Sequence, residues 1–225
     1  MAEATQNSRA TLLDIAHART RTRSDSGRSK PDFFYEIYSK FFDPIRDHRL
    51  NLFEIGVAEG ESAKVFSEYF CHSNIVGIDF RLKDIDLTGF DNITLFEGDQ
   101  TDKTFLSKIA NNYARSGVDI VIDDASHQGR HSLETFHILY PLLRSGGLYV
   151  VEDWGTGYWD KWADGKDFVS AKFDGDRIIS HDFGMVGFVK YLIDHTATGD
   201  IKSDVQMEKI SAMHVYRGVV ILEKS

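Results

Sequence analysis

The fold of this chain is decided by residues 52–60, which read LFEIGVAEG. The apolar first half of this stretch predicts a strand, and residues 62–70 predict a helix after the turn that contains Gly56 and Gly60. In this order of elements, the backbone of the turn can approach a ligand at the strand tip and the helix N-terminus. The turn is not the dinucleotide fingerprint, because Ala58 holds the second glycine position and no third glycine follows at the right spacing.

Outward from this stretch, the chain alternates between apolar strands and helices. Further strands are predicted at residues 75–78, 93–96, 118–122 and 148–151, and further helices at 102–114 and 132–143, the latter stopped by Gly146 and Gly147. Continuous apolar strands joined by helices predict a parallel sheet that is covered on both faces. Residues 209–216 and 219–223, around an Arg217-Gly218 turn, predict an antiparallel hairpin. The predicted fold class is α/β, a doubly wound, mostly parallel seven-stranded sheet with a C-terminal antiparallel hairpin.

Two segments lie outside this alternation. Residues 1–45 predict an N-terminal helical arm that ends in an aromatic stripe, which we expect to pack on the core: Phe33, Phe34, Ile37, Phe41 and Phe42. Residues 154–187 are rich in Gly, Asp and aromatics, which favours a lid or substrate region over one end of the sheet, before a helix resumes at 188–193. Because no repeat and no second apolar core follow a linker, we expect one domain over residues 1–225.

The composition limits the classes of partner. The chain has 225 residues, 42% of them hydrophobic, which is enough for one sizeable core. Its 26 Lys and Arg against 35 Asp and Glu give a net charge of −9, which argues against nucleic acid and anionic membranes, although residues 1–30 carry six basic and three acidic side chains. No run approaches the ~18 apolar residues of a membrane span. Cys71 is the single cysteine, so no intramolecular disulfide can form and a cytoplasmic location is expected.

Polar side chains at successive strand tips suit an adenosine moiety. Asp79 ends the second predicted strand, 19 residues after Gly60, and is placed to hydrogen-bond the vicinal hydroxyls of a ribose. Asp99 and Gln100 end the third strand, where they could reach an adenine edge. Exposed strand tips are often polar, which would explain any one of these residues but explains the spacing to Asp79 less well.

Acidic pairs end the fourth and fifth predicted strands. Asp123 and Asp124 follow one strand, Glu152 and Asp153 the next, and parallel neighbours lie roughly 4.8 Å apart. Converging carboxylates repel unless a cation lies among them, and an all-oxygen set selects Mg²⁺, Mn²⁺ or Ca²⁺ over zinc. We therefore expect a hard divalent metal. His127 follows Asp124 closely enough to act as a general base near neutral pH; an exposed loop histidine is the alternative.

Aromatic side chains come directly after the metal candidates. Trp154, Tyr158, Trp159 and Trp162 could close over a ring or a sugar face, or could simply pack the lid onto the domain. The remaining histidines that we considered lack comparable neighbours and are interpreted as surface or core residues: His131, His137, His181, His195 and His214.

These residues, in this order, resemble the class I S-adenosylmethionine-dependent methyltransferases. More narrowly, they resemble the metal-dependent sugar O-methyltransferases of macrolide biosynthesis, of the macrocin and mycinamicin type. The most specific pieces are residues 123–127, which read DDASH, and residues 151–154, which read VEDW. The resemblance extends from about Ser24 through Trp159 and then weakly to the hairpin. Ala125 stands where glycine is usual, and the sequence after Trp159 departs further.

The resemblance implies roles for individual residues. Magnesium would be held by Asp124, Glu152 and Asp153, with His127 as the general base. S-Adenosylmethionine would be bound by Glu54, Gly56, Glu59, Gly60, Ser62, Asp79, Asp99, Gln100 and Asp123. From their position after the metal candidates, and not from the resemblance, we expect Trp154, Tyr158 and Trp159 to contact the substrate. The resemblance also implies a homo-oligomer.

We therefore predict an S-adenosylmethionine- and Mg²⁺-dependent (or Mn²⁺-dependent) O-methyltransferase that acts on a small polyhydroxylated acceptor, a sugar of a glycosylated natural product. The acceptor should carry adjacent oxygens, because a metal can bind both. The alternative is a metal-binding Rossmann-like biosynthetic protein without methyl transfer, hydroxylase-associated or ligand-binding. A nucleotide-binding oxidoreductase is less consistent, since it would need the three-glycine turn and gives the acidic pairs no role.

Overall fold

The computed structural model describes residues 9–21, 30–168, 173–174, 177–178, 180–198 and 209–225. The helices are α1 (Leu12–Arg21), α2 (Asp32–Phe42), α3 (Glu61–Tyr69), α4 (Lys103–Tyr113), α5 (Gly129–Leu139), α6 (Ala163–Asp167) and α7 (Gly184–Thr198). The strands are β1 (Asn51–Ile55), β2 (Asn74–Asp79), β3 (Ile93–Glu97), β4 (Val118–Asp123), β5 (Leu143–Glu152), β6 (Phe173–Asp174), β7 (Arg177–Ile178), β8 (Ile210–Val215) and β9 (Val219–Lys224). Single 3₁₀ turns cover Asp43–Ile45, Tyr140–Leu142 and Trp154–Tyr158.

The main sheet has seven strands in the order β3-β2-β1-β4-β5-β9-β8. Strands β1 to β5 pair in parallel, and β9 pairs antiparallel with both β5 and β8. The predicted fold class is therefore confirmed. The strand order reverses between β1 and β4, and ligand clefts of open α/β sheets form at such a reversal, outside the carboxyl ends of the strands.

The sheet separates two apolar layers. One layer contains side chains of α1, α2 and α3, and the other contains side chains of α4, α5 and α7. Alternate strand residues enter alternate layers: Ile120 and Ile122 of β4 face the first, and Val121 faces the second. The predicted aromatic stripe of α2 packs in the first layer, where Phe34, Ile37 and Phe42 are buried and Phe33 and Phe41 lie at its edge.

The end of α5 corrects one prediction. The helix expected over residues 132–143 ends at Leu139, and a 3₁₀ turn with Pro141 follows, because proline lacks the N–H that would continue an α-helix. Gly146 and Gly147 lie inside β5, so their interpretation as a helix stop is wrong. They occupy the place where β5 shifts register against β4, and Gly146 takes a φ of +75° there.

The first part of the predicted lid is fixed to the body of the protein. Thr156 and Asp164 are buried, and Asp164 Oδ2 accepts hydrogen bonds from the backbone N–H groups of Gly129 (2.8 Å) and Met185 (2.7 Å). The starts of α5 and α7 are thereby held together. Residues 169–172, 175–176 and 179 of the lid, like residues 1–8 and 22–29 of the arm, lie outside the described residues.

None of the helices in the described ranges has both the length and the apolar character that a membrane span needs.

Candidate active-site cleft

A cleft of about 1220 Å³ opens at the carboxyl ends of β1, β2, β4 and β5. The residues predicted from the sequence that line it are Gly56, Glu59, Ser62, Asp79, Asp99, Gln100, Asp124, His127, Glu152, Asp153 and Trp159. Those that do not line it are Glu54, Gly60, Asp123, Trp154 and Tyr158. The sequence motifs therefore meet in one place, at the reversal of the strand order.

The glycine turn after β1 forms one wall. Gly56 has a φ of +89°, and a Cβ there would lie 2.2 Å from the carbonyl oxygen of Asp124. Only glycine therefore lets this turn pack directly on the chain that leaves β4. Gly60 has a φ of +77°, and its Cα faces Ile85. Both glycines are required by the backbone itself, apart from any ligand.

Asp79 holds the same turn. Its Oδ2 accepts hydrogen bonds from the backbone N–H groups of Val57 (3.0 Å) and Ala58 (2.9 Å), and Oδ1 accepts one from Arg81 (3.0 Å). A carboxylate has about four lone-pair positions, so these three hydrogen bonds do not exhaust its capacity as an acceptor. The predicted contact with a ribose stays a prediction, and the structure supplies a rigidly oriented carboxylate for it.

Gln100 ties the tip of β3 to the loop after β4. Its Nε2 donates to Thr135 Oγ1 at 2.9 Å and to Asp123 Oδ1 at 3.4 Å, and its Oε1 accepts from the Ser126 N–H at 3.2 Å. Its neighbour Asp99 accepts from the backbone N–H and hydroxyl of Thr101, which lower the pKa of Asp99. Asp99 thus stays ionised at the cleft wall.

Asp123 and Glu54 are buried acids. Burial raises the pKa of Asp123 to about 6, against an opposing hydrogen bond from Gln100. Burial also raises the pKa of Glu54 to about 7, although the positive charge of Lys30 opposes it. Their predicted contacts with a cofactor stay predictions.

Three side chains converge as candidate metal ligands. Asp124, His127 and Asp153 each offer one ligand atom, and these atoms lie within 4.8 Å of one another. His127 Nε2 is 3.8 Å from Asp124 Oδ1 and 3.9 Å from Asp153 Oδ2. The His127 ring stands edge-on to Trp162, with 4.8 Å between centroids. Two carboxylates with an imidazole suit a divalent cation, so the donor chemistry fits the expected metal.

Two of these residues have an unusual backbone. His127 and Asp153 have φ values of +51° and +52°, and among the described residues Ala58 is the other non-glycine with a positive φ. Left-handed backbone costs a side-chain-bearing residue roughly 1–2 kcal/mol, and such residues concentrate at functional sites. The backbone at the ends of β4 and β5 is therefore shaped to direct these two side chains.

Glu152 lies on the other side of Asp124 and contacts Lys30. Lys30 Nζ is 2.5 Å from Asp124 Oδ2, 2.8 Å from Glu152 Oε1 and 3.6 Å from Glu54 Oε1. Tyr38 donates a hydrogen bond from its hydroxyl to the same Glu152 oxygen. Glu152 is thus outside the converging group, and its role as a metal ligand stays a prediction.

The charges of this region are strongly coupled. Burial alone would lower the pKa of Lys30, but Asp124, Glu152 and Glu54 together raise it well above its usual value. Burial and the charge of Asp124 raise the pKa of Glu152 well above its usual value. Burial also raises the pKa of Asp153, against the opposing charge of His127. One ammonium faces several carboxylates, so a further cation would stabilise the ionised cluster.

A second cavity of about 570 Å³ adjoins the cleft at Asp153 and Trp159, which line both. It contains all three predicted substrate aromatics, since Trp154 and Tyr158 also line it. Trp154 Nε1 donates to the Tyr216 carbonyl at 3.0 Å, whereas Trp159 is 49% exposed. Of the three, Trp159 is therefore the one that lines both the cleft and the second cavity, and its contact with a substrate stays a prediction.

Sequence reasoning missed two residues that line the cleft, Lys30 and His131, and the buried Tyr38, which contacts Glu152. On sequence alone, Lys30 belongs to the basic arm and His131 is a surface or core residue, while Tyr38 lies on the core-facing side of α2. His131 lines the cleft, with Nδ1 3.2 Å from Ser126 Oγ. Its position in the first turn of α5, just after the polar tip of β4, was the available signal.

Comparison with protein-family models gives no match. Among characterised proteins, the chain is 31% identical over 207 residues to mycinamicin VI 2''-O-methyltransferase of Micromonospora griseorubida. This alignment covers 85% of the present chain and 48% of that protein. It is 29% identical over 205 residues to demethylmacrocin O-methyltransferase of Streptomyces fradiae, again over 85% and 48%. The chain spans about half the length of these curated relatives.

Among solved structures, the chain is similar to the MycE methyltransferase of the mycinamycin biosynthetic pathway in complex with Mg, SAH and mycinamycin VI. The TM-score is 0.73 and the identity 30%, over 96% of this chain and 54% of that one. The chain also shares its fold with a putative caffeoyl-CoA O-methyltransferase from Staphylococcus aureus, with a TM-score of 0.53 over 98% of this chain and 95% of that one. At 16% identity, this likeness shows the fold alone. These comparisons confirm the resemblance predicted from the sequence.

Proposed function

We propose that this chain carries an S-adenosylmethionine- and divalent-metal-dependent O-methyltransferase activity toward a hydroxyl of a small glycosylated natural product. The observation that carries the proposal is the convergence of Asp124, His127 and Asp153 on the cleft that also contains the Gly56 turn and Asp79. Relatives named as O-methyltransferases of mycinamicin VI and demethylmacrocin support it, as does a similar structure that holds Mg and SAH.

The cleft residues would divide the work of binding the methyl donor. Asp79 is oriented to accept hydrogen bonds from ribose hydroxyls, and Asp99 with Gln100 would border the base. A cleft of about 1220 Å³ admits a ligand of this size together with an acceptor. S-Adenosylmethionine supplies an electrophilic methyl group when bound, so the protein has mainly to align an acceptor oxygen and to take its proton.

Asp124 and Asp153 would hold the metal, with Glu152 as the further ligand implied by the resemblance. A divalent metal supplies Lewis acidity that lowers the pKa of an acceptor hydroxyl. His127 would then accept the proton of that hydroxyl through Nε2. The same nitrogen lies within reach of a metal held by Asp124 and Asp153, and it cannot serve both purposes at once.

The first test is calorimetric titration with S-adenosylhomocysteine, with Mg²⁺ present and after chelation. We expect micromolar binding, followed by methyl transfer to acceptors with vicinal hydroxyls. Absence of binding under both conditions would overturn the proposal. Binding of metal without binding or turnover of the methyl donor would instead favour the metal-binding protein without methyl transfer.

Asp124→Asn tests the metal role, and exposed Asp91→Asn is its matched control. We expect Asp124→Asn to lower turnover about a hundredfold, while S-adenosylhomocysteine affinity stays within about threefold, because changing even an outer-shell partner of a metal ligand costs about 10- to 100-fold. Intact turnover at saturating Mg²⁺ would contradict the role.

His127→Ala separates the two roles of the histidine. If His127 is the base, Mn²⁺ affinity is retained and turnover is lost. If it is a ligand, Mn²⁺ affinity falls with turnover. We expect the first outcome, because the oxygen ligands of the neighbouring acids already suit a hard cation.

The remaining proposals concern the setting of the protein. The single cysteine supports a cytoplasmic location, and the net charge of −9 supports a small-molecule partner rather than nucleic acid. A homo-oligomer is proposed from the resemblance alone.

A further inference from the structure

We infer that Lys30 is a resident cation of the cleft that competes with the divalent metal for Asp124 and Glu152, and so sets the metal affinity of this chain. The inference deepens the proposed function and rests on its metal dependence. It concerns a residue that neither the sequence motifs nor the resemblance singles out.

Lys30 is buried, and its ammonium is held by carboxylates of the cleft. Its side chain is 7% exposed, and its ammonium lies within hydrogen-bond distance of one oxygen of Asp124 and one of Glu152. Pro31 follows it and α2 begins at Asp32, so the lysine enters the cleft from the fixed start of a helix. Tyr38, two turns along α2, contacts the same Glu152 carboxylate.

The two oxygens of Asp124 face different partners. Oδ2 contacts Lys30, whereas Oδ1 is the oxygen nearest His127 in the converging group. A metal bound at Asp124 and Asp153 would therefore share Asp124 with the ammonium. A metal that also recruited Glu152 would have to take the oxygens that Lys30 now engages.

Charge makes the competition strong. Two cations a few ångströms apart repel, and the repulsion is large where water is largely excluded. Conversely, loss of the ammonium would remove a positive charge that contacts Glu54, Asp124 and Glu152, which favours uptake of a divalent cation. Lys30 thus keeps the cluster compact without metal and weakens its binding of metal.

The test is Mn²⁺ titration of the full chain, with free Mn²⁺ followed by electron paramagnetic resonance and no methyl donor or acceptor present. The proteins are wild type, Lys30→Met, Glu152→Gln and the double variant. We expect Lys30→Met to bind Mn²⁺ about tenfold more tightly or better, since a nearby like charge is removed. Glu152→Gln should cancel most of that gain, because the carboxylate that Lys30 releases is one that the metal then takes.

Lys108→Met is the matched control, since Lys108 is exposed on α4. It removes the same charge far from the cluster and should leave Mn²⁺ affinity unchanged. Equal or weaker binding by Lys30→Met would overturn the inference and would make Lys30 a positioning residue for Asp124. Retention of the full gain in the double variant would overturn it as well.

Lys30→Met leaves buried carboxylates uncompensated, so the variant could be unfolded without metal. The melting temperature with and without Mn²⁺ then gives the same answer: the inference requires a larger Mn²⁺-induced increase for Lys30→Met than for wild type. The double variant removes one charge of each sign and serves as the folded reference.

The fate of the inference is separable from that of the methyl-transfer proposal. Failure of S-adenosylhomocysteine binding with the Mn²⁺ pattern intact overturns the methyltransferase and leaves the role of Lys30 standing. Absence of Mn²⁺ binding in both wild type and Lys30→Met overturns the inference, while S-adenosylhomocysteine binding is judged independently.

Discussion

Gly56 lets the turn after β1 pack against the loop after β4, and its replacement tests that contact. Gly56→Ala adds a Cβ at a φ of +89° and 2.2 Å from the Asp124 carbonyl oxygen, so the backbone near the candidate metal ligands must shift. We expect the free energy of unfolding to fall by about 3 kcal/mol, from left-handed strain and overpacking together. Urea denaturation measures this change.

Gly89→Ala is the control for conformation alone. Gly89 has a φ of +84°, yet no atom lies within 4 Å of a Cβ built there. Its replacement should cost about 1 kcal/mol, the strain of a left-handed alanine. Equal losses at the two positions would show that the close approach to Asp124 contributes nothing.

At this scale, local spacing predicted the acids and the histidine but not their partners. Asp124, His127 and Asp153 follow apolar strands directly, so their convergence was readable from the chain. Lys30 lies 94 positions from Asp124 in the sequence, and Tyr38 lies 114 from Glu152. Such contacts depend on how a helix docks on the sheet, which no local period encodes.

At the scale of elements, Asp164 joins three helices. From α6 its carboxylate accepts the N–H groups of Gly129 and Met185, near the starts of α5 and α7. Asp164→Ala would leave two buried donors unpaired and remove a negative charge from two helix N-termini, so we expect a loss of about 3 kcal/mol in unfolding free energy. Hydrogen exchange at these two amides should accelerate.

Asp167→Ala on the same helix is the comparison, because Asp167 is exposed. It should change stability by less than about 0.5 kcal/mol. If Asp164→Ala is equally neutral, the first part of the predicted lid is not held by this carboxylate.

Boundaries of elements were predicted less well than their order. Pro141 ends α5 earlier than the apolar pattern indicated, and Gly146 serves a register shift within β5. The end of α5 and the path of β5 both depend on how β5 pairs with β4, which the apolar pattern of a single segment does not encode. The strand and helix types themselves followed from continuous apolar runs, since a strand covered on both faces has no polar side.

At the scale of the whole molecule, the N-terminal arm belongs to the same core as the sheet. Leu12, Ile15 and Ala16 of α1 are buried in the layer that contains α2, α3 and one face of the strands. The sequence predicted a helix here but not its burial, because only a few apolar residues stand among the polar ones of this short segment. If α1 is part of one cooperative unit, damage to it must destabilise the cleft at the other end of the strands.

Ala16→Asp and Ala18→Asp test this cooperativity with one chemical change at two places on the same helix. Ala16 is buried and Ala18 is exposed, so a carboxylate at 16 must be desolvated and one at 18 stays in water. We expect Ala16→Asp to lower the unfolding free energy by about 3 kcal/mol and Ala18→Asp to change it by less than about 0.5 kcal/mol.

Tryptophan fluorescence reports the region of Trp154, Trp159 and Trp162, whereas circular dichroism reports all helices. Because one core should unfold in one transition, both probes should show the same lowered midpoint for Ala16→Asp. An unchanged fluorescence midpoint, with loss of helix signal alone, would mean that α1 frays independently of the sheet.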